Sequence, residues 1–350
     1  MQPQSLQSLI PADRLSAVEK ALLQTFHTLD ITDIIPLAGG LSASPVYKIL
    51  VDNQPYVLKL ESTERVVNDT ERSYACMEIA AKAGIAPPLY YQSPEDALSI
   101  TKFIENKPLR TVFTSPDILL EQLAKTIRSI HEMPRIPKEN SLLNTVEDLI
   151  RQVRESPMFT KTMFEDFFDY YDIIRRHYPW DDKDKILSHN DLNPNNIICD
   201  GKRLWVVDWD AAYLNDRYVD LAISANFFVS NEPQEEKFLS AYFGDGFNSY
   251  NSARFFTMRQ ICRLVYAILM FKLAAPTIPA GMVDDADMQT VNTRKVGEQM
   301  ATGKLSLSSY RGQVLYGKAL LNEALTDMRS PRFTPMMKIL ADMPGSAHKA

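Results

Sequence analysis

Leu187-Ser188-His189-Asn190-Asp191-Leu192-Asn193-Pro194-Asn195-Asn196-Ile197-Ile198-Cys199-Asp200-Gly201-Lys202-Arg203-Leu204-Trp205-Val206-Val207-Asp208-Trp209-Asp210 is the stretch whose reading decides the fold. Residues 190–196 have the asparagine, aspartate and proline content of a turn, because these side chains bond their own backbone and tolerate unusual dihedrals. Residues 203–207 form a β-type run that ends in Asp208. A polar loop with His189, Asp191 and Asn196 is therefore followed by a strand delivering another carboxylate. By itself this could be a surface turn joining two elements. The decision rests on what the rest of the chain supplies.

Upstream, residues 12–29 have helical spacing, with Leu15, Val18, Leu22 and Phe26 on one face. Strands are expected at 34–37 and 46–51, with Gly39, Gly40, Leu41 and Ser42 between them. Strand, glycine turn, strand is a layout in which backbone N–H groups can approach phosphate oxygens, although a plain hairpin has the same layout. The alternating run 56–60 carries Lys59 among apolar neighbours. A lysine there is costly unless its ammonium meets an anion or snorkels to water. The helix expected over 69–83 offers Glu71 first and Glu78 second as that anion. Strands at 89–92 and 98–104 complete a small antiparallel sheet with one helix. Phe103-Ile104-Glu105-Asn106-Lys107-Pro108 then reads as a crossover whose backbone can meet an adenine edge.

Beyond the crossover the periodicity is helical, at 118–131, 146–155, 162–178, 218–229, 234–242, 251–274 and 308–328. Residues 275–305 are polar and weakly periodic, which predicts a loop or linker, and the last residues are expected to fray. The 350 residues carry a net charge of −6, which argues against a broad nucleic-acid surface. Cys76, Cys199 and Cys262 stand far apart, unlike a zinc or disulfide framework. The first residues lack the basic start and apolar core of a signal peptide, and the apolar run 264–271 is too short to span a bilayer. A cytoplasmic protein is expected.

In order, Gly39-Gly40-Leu41-Ser42 with Tyr47-Lys48, Lys59, the helix end at 84–87, Phe103-Ile104-Glu105, His189 to Asn196, Asp208-Trp209-Asp210 and Asp220-Leu221-Ala222 resemble the choline kinase and aminoglycoside phosphotransferase superfamily. That superfamily is a branch of the protein-kinase-like fold. The specific part is His-x-Asp-x-x-x-x-Asn with Asp208 twelve residues after Asn196, behind Lys59 in the chain. His189-Asn190-Asp191-Leu192 is similar to the choline/ethanolamine kinase branch, since the aminoglycoside enzymes more often place glycine between histidine and aspartate. The chain departs from that branch at Asp210-Ala211, where Glu-Tyr is usual. It also lacks tryptophan in its later helices, where Tyr266 and Phe271 stand instead.

The resemblance implies an α+β, two-lobed protein-kinase-like fold, with a small antiparallel-sheet N-lobe and a mainly helical C-lobe. Residues 1–105 would form the nucleotide-binding lobe, 106–275 the helical lobe with catalytic loop and substrate site, and 276–350 a partly helical C-terminal extension. It implies ATP- and Mg2+-dependent phosphorylation of a small-molecule alcohol, with choline, ethanolamine or a similar cationic alcohol first. Aminoglycoside, thiamine or sugar acceptors are alternatives, as is a kinase-fold nucleotide-binding protein without turnover. Asp191 would take or orient the hydroxyl proton, with His189 ordering the loop. Asn196 and Asp208 would ligate the metal. Residues 39–42, Lys59, Glu71, Phe103 and Glu105 would hold the nucleotide, Tyr266 would face the substrate side, and Asp210 would touch substrate, hold a second metal or be structural.

Overall fold

Tyr47, Ile49 and Val51 are buried and alternate with more open residues, the period-two pattern of a strand with one face on a core. In the computed structural model, which describes residues 6–37, 44–62, 67–136, 141–156, 164–181, 185–278 and 291–342, this strand belongs to a five-stranded antiparallel sheet. Its strands are β1 (Asp33–Pro36), β2 (Val46–Val51), β3 (Gln54–Leu60), β4 (Leu89–Ser93) and β5 (Leu98–Lys102), in the order β1-β2-β3-β5-β4. The glycine turn Gly39, Gly40, Leu41 and Ser42 lies outside the described residues. The chain divides into two compact units, residues 1–138 with 187–214, and residues 139–186 with 215–350.

In the first unit, helices α1 (Leu6–Leu9) and α2 (Leu15–Phe26) cover one face of the sheet. Leu6, Ile10, Val18, Ala21 and Leu22 pack there with Ile34, Ile49, Val51, Leu58, Leu60, Leu98 and Ile100. The register Val46↔Lys59↔Ser99 puts Lys59 on the opposite face. Helix α3 (Val67–Lys82) follows β3, and α4 (Leu109–Val112) and α5 (Pro116–His131) follow the sheet. The central stretch then forms four short strands, β6 (Ile186–Ser188), β7 (Ile197–Cys199), β8 (Leu204–Val206) and β9 (Tyr213–Asn215), pairing β6 with β9 and β7 with β8. Glycine is required at Gly201, whose φ of +93° lets the β7–β8 hairpin turn.

The second unit is helical: α6 (Leu142–Glu155), α7 (Glu165–His177), α8 (Tyr218–Phe228), α9 (Glu232–Phe243), α10 (Ser249–Ala274), α11 (Thr293–Ala301), α12 (Tyr310–Met328) and α13 (Phe333–Ala341). The long α10 opens on a capping box between Asn248 and Asn251 and is buried on most sides. Gly317 of α12 lies against Phe271 of α10, where a Cβ would collide with the ring. Phe271 is thus part of the helical core. The segment Ser249–Thr277 is long and apolar enough to cross a membrane by composition. Here it carries Arg254, Arg259 and Arg263 and packs on α8, α12 and α13.

The α+β class read from the sequence, a small antiparallel sheet and mainly helical remainder, is what the structure has. Two segments differ. The expected loop at 275–305 contains α11, started by Asn292 accepting from Lys295 N–H and anchored by buried Val296 beside Leu305 and Ala319. Helix α13, with Phe333, Met337 and Leu340 buried, is a helix the periodicity did not predict, and the last residues, 343–350, lie outside the described residues.

Candidate active site

The catalytic-loop residues are organised by His189, which is fully buried. Its Nε2 lies 3.0 Å from the Val207 carbonyl, and its Nδ1 accepts the Asp191 N–H at 3.3 Å, which fits the Nε2-protonated tautomer. One ring therefore ties the start of the loop to the residue before Asp208. Both nitrogens are engaged with backbone, so His189 orders the loop. Its ring also meets Trp209 at a centroid distance of 4.8 Å.

Asn190 has φ 64°, in the left-handed region that glycine and asparagine occupy most easily. Its Nδ2 donates to the carbonyls of Ser188 (3.1 Å), Ala211 (3.0 Å) and Tyr213 (3.4 Å). Asparagine at this position thus has a backbone reason.

Asp191 accepts Asn193 Nδ2 on Oδ1 and Asn196 Nδ2 on Oδ2, each at 3.0 Å. Asn196 Nδ2 also donates to the Asp191 carbonyl at 2.9 Å. These bonds orient the carboxylate. The turn Pro194–Asn196 is capped by Asn193, whose Oδ1 accepts the Asn195 N–H at 2.9 Å. Asn196 is linked to the far strand because its carbonyl accepts Val207 N–H at 3.0 Å. Asp208 then adopts φ 64°, ψ 68°, a second left-handed residue in the stretch. Such conformations cost energy and persist where surrounding structure imposes them.

Lys59 meets this stretch directly. Its Nζ donates to Asp208 Oδ1 (2.8 Å) and Asp210 Oδ2 (3.1 Å), with Glu61 Oε1 at 3.6 Å. Burial alone would lower the ammonium's pKa, but Asp210, Asp208 and Glu61 together outweigh it and hold the pKa above its ordinary value. The expected lysine partner differs. Glu71 is exposed, and Glu78 pairs with Lys82 at 2.5 Å. Neither is among the carboxylates on Lys59. The residue that α3 turns inward is Arg72, which donates to the carbonyls of Ala212 and Asp210. Sequence reasoning missed Arg72 and Glu61. Glu61 had a signal, since residues two apart on a strand share a face.

The crossover segment is attached to the same region. Asn106 Oδ1 accepts Cys199 N–H (3.0 Å) and Lys107 N–H donates to Cys199 O (2.7 Å). Phe103 lies under Lys48 Nζ at 4.4 Å. Among the described residues the backbone of residues 104–106, which includes Glu105, makes no hydrogen bond of its own and remains available to a ligand edge. Tyr266 belongs to the second unit, half-buried on α10 with its ring edge-on to Phe227.

Among the described residues there is no cluster of three or more His, Cys, Asp or Glu able to hold a metal. The donors present fit a hard cation that draws its remaining ligands from phosphate and water. The amide nitrogen of Asn196 is committed to Asp191, which leaves Oδ1, and Asp208 holds Lys59 through one oxygen only.

A model of the APH phosphotransferase enzyme family matches residues 33–256. The chain belongs to that family. It is a phosphotransferase, as the sequence resemblance implied. It is similar to a probable aminoglycoside 3'-phosphotransferase of Lactococcus lactis, 25% identical over 215 residues, covering 57% of this chain and 81% of that one. In fold it is similar to a choline/ethanolamine kinase family protein from Mesorhizobium loti, with a TM-score of 0.66 and 17% identity over 94% of this chain and 99% of that one. It also resembles APH(2")-IIa in a ternary complex with streptomycin and ATP, with a TM-score of 0.54 and 17% identity over 75% and 90% of the two chains.

Proposed function

We propose that the chain transfers the γ-phosphoryl group of ATP to the hydroxyl of a small cationic alcohol, with choline, ethanolamine or a close relative first in line. The observation that carries this is the joining of Lys59 to Asp208 at 2.8 Å, beside a loop in which Asn196 holds Asp191. Phosphoryl transfer asks mainly for positioning and charge neutralisation, and these residues are the types it needs.

In this reading the acceptor hydroxyl donates to Asp191. Its oxygen bonds to the γ-phosphorus as the bond from that phosphorus to the bridging oxygen of ADP breaks, and the hydroxyl proton passes to the Asp191 carboxylate. Lys59 exchanges part of its carboxylate shell for phosphate oxygens. The free backbone of residues 104–106 receives the adenine edge, with Phe103 and Glu105 beside it, and residues 39–42 cover the phosphates. Asn196 and Asp208 would hold Mg2+, which supplies charge neutralisation at the transferred group. His189 keeps the loop in place, and Asp210 steadies Lys59. A cytoplasmic setting agrees with this reading, because Cys76, Cys199 and Cys262 are free and buried and ATP is abundant there.

The choice of a choline-type acceptor is supported by the likeness to the Mesorhizobium protein along nearly the whole of both chains. An aminoglycoside is the second reading, supported by the Lactococcus relative. Both acceptors are cationic, which suits a chain of net charge −6. The test is ADP release from Mg-ATP with choline, ethanolamine, thiamine, aminoglycosides and sugars in turn. A signal with choline or ethanolamine is expected. A signal only with aminoglycosides selects the second reading, and nucleotide binding with no release for any acceptor rejects transfer. Asp191→Ala is expected to lower turnover by about 10²–10⁴-fold with unfolding unchanged. An undiminished rate would overturn the role of Asp191.

A further inference from the structure

Along β3, side chains alternate between the two faces of the sheet. Leu58 and Leu60 enter the apolar core, so Lys59 and Glu61 emerge together on the other face. Glu61 lies one residue beyond the strand, yet its backbone is fixed as the strand is. Its N–H donates to Ala97 O at 2.8 Å, and its carbonyl accepts Arg14 Nη1 at 2.8 Å. The other end of that guanidinium holds Asp96 O (2.6 Å) and Ala97 O (3.0 Å). Arg14 therefore clamps the ends of β3 and β5 around the glutamate.

The Glu61 side chain is 2% exposed, against 36% for Asp208 and 17% for Asp210. A carboxylate so withdrawn from water is costly without a cation, and Lys59 Nζ is 3.6 Å away. The exposed Asp208 can exchange lysine for a metal ion or water. Glu61, at 2% exposure, is shut off from water where Asp208 is open to it, so it is the carboxylate placed to stay when Lys59 turns to phosphate. Helix α3 meanwhile presents Arg72, not a glutamate, to the site.

We infer that Glu61 is the positioning residue for Lys59, in place of a glutamate from α3, and that α3 acts on the site through Arg72 and the carbonyls of Asp210 and Ala212. The inference deepens the phosphotransfer reading and rests on it for its catalytic meaning, but the pairing itself can be tested without nucleotide.

The experiment uses the full chain and its Glu61→Gln, Glu61→Asp, Glu71→Gln, Lys59→Met and Glu61→Gln/Lys59→Met variants. Acetylation of Lys59 by acetic anhydride at one fixed pH is measured by mass spectrometry, with exposed Lys82 as internal reference. Glu61→Gln is expected to raise Lys59 labelling roughly threefold or more, Glu61→Asp to restore part of the protection, and Glu71→Gln to leave it unchanged. Binding of a fluorescent ATP analogue is measured in parallel. Glu61→Gln is expected to weaken it about tenfold in the wild-type background and to have no effect beside Lys59→Met, because coupled residues are not additive. Equal losses in both backgrounds indicate general damage and overturn the inference. Unchanged Lys59 labelling in Glu61→Gln, or raised labelling in Glu71→Gln, overturns it as well. A wild-type chain that binds no nucleotide refutes the phosphotransfer reading, and the labelling result then decides the Glu61 pairing by itself. Normal ADP release with unchanged labelling rejects Glu61 and leaves that reading intact.

Discussion

The two N–H groups of Asn190 Nδ2 are shared among three carbonyls while its backbone sits at φ 64°. Glycine at this position keeps the backbone and loses the bonds, whereas a β-branched residue loses the bonds and adds steric strain. Asn190→Gly is expected to cost about 1–2 kcal/mol, and Asn190→Val about 2–4 kcal/mol, in urea unfolding. Equal costs would show that backbone conformation does not matter there. At this scale the sequence was partly legible. Lys59 stood out because a lysine in an apolar strand demands an anion, and Asp208 because it ends a strand. Their meeting at 2.8 Å follows that logic. The lysine's third partner escaped because helix glutamates were weighed while Glu61, two residues along the same strand, was not. Arg72 escaped because a helix arginine gives no sign of which carbonyls it will reach.

The β7–β8 hairpin is held by one carboxylate. Asp200 accepts the backbone N–H groups of Lys202 (2.8 Å) and Arg203 (3.0 Å) and the Trp205 indole (3.0 Å). Burial opposes its ionisation, but the Trp205 and backbone donors prevail and hold its pKa at about 2, below the ordinary 3.8. A depressed carboxylate pKa contributes stability above the unfolded value, and this contribution is lost as pH falls through the folded one. The Trp205 indole N–H resonance is therefore expected to shift as pH falls from about 4 to about 2, and to be insensitive over that range in Asp200→Asn. In the helical unit, Gly317→Ala sets a methyl against the Phe271 ring. It is expected to destabilise by about 1–3 kcal/mol in thermal unfolding, despite alanine's better helix propensity. Strand β2 was legible because its residues alternate in burial along the whole run. Helix α11 was not, since Val296 is its one fully buried anchor, with Met300 only partly buried beside it.

At the scale of the molecule, the C-terminal helices are part of the helical unit's charged interior. Arg263 on α10 is nearly buried, and its partners are Asp327 (2.6 Å) and Glu323 (3.4 Å) on α12. Arg332 joins Glu235 of α9 at 2.7 Å, and Glu235 also holds Arg259 at 3.3 Å. Removing one side of a buried pair leaves an uncompensated charge, at a cost of about 3–5 kcal/mol. A chain ending at residue 278 is expected to lose its cooperative unfolding transition by circular dichroism, and retention of a sharp transition would show those helices to be dispensable. The sequence offered no view of this, because partners in such a network are chosen by three-dimensional packing across long separations. One smaller contact reaches further. Asn106 and Lys107 bond both backbone groups of Cys199, as an added strand would, so residues 103–107 and the loop that carries Asn196 share one hydrogen-bonded ribbon. Linkage is reciprocal: whatever stiffens the ribbon at one end is favoured by whatever occupies the other. Cooperativity between two ligands could therefore arise in a few peptide groups, with no large motion required.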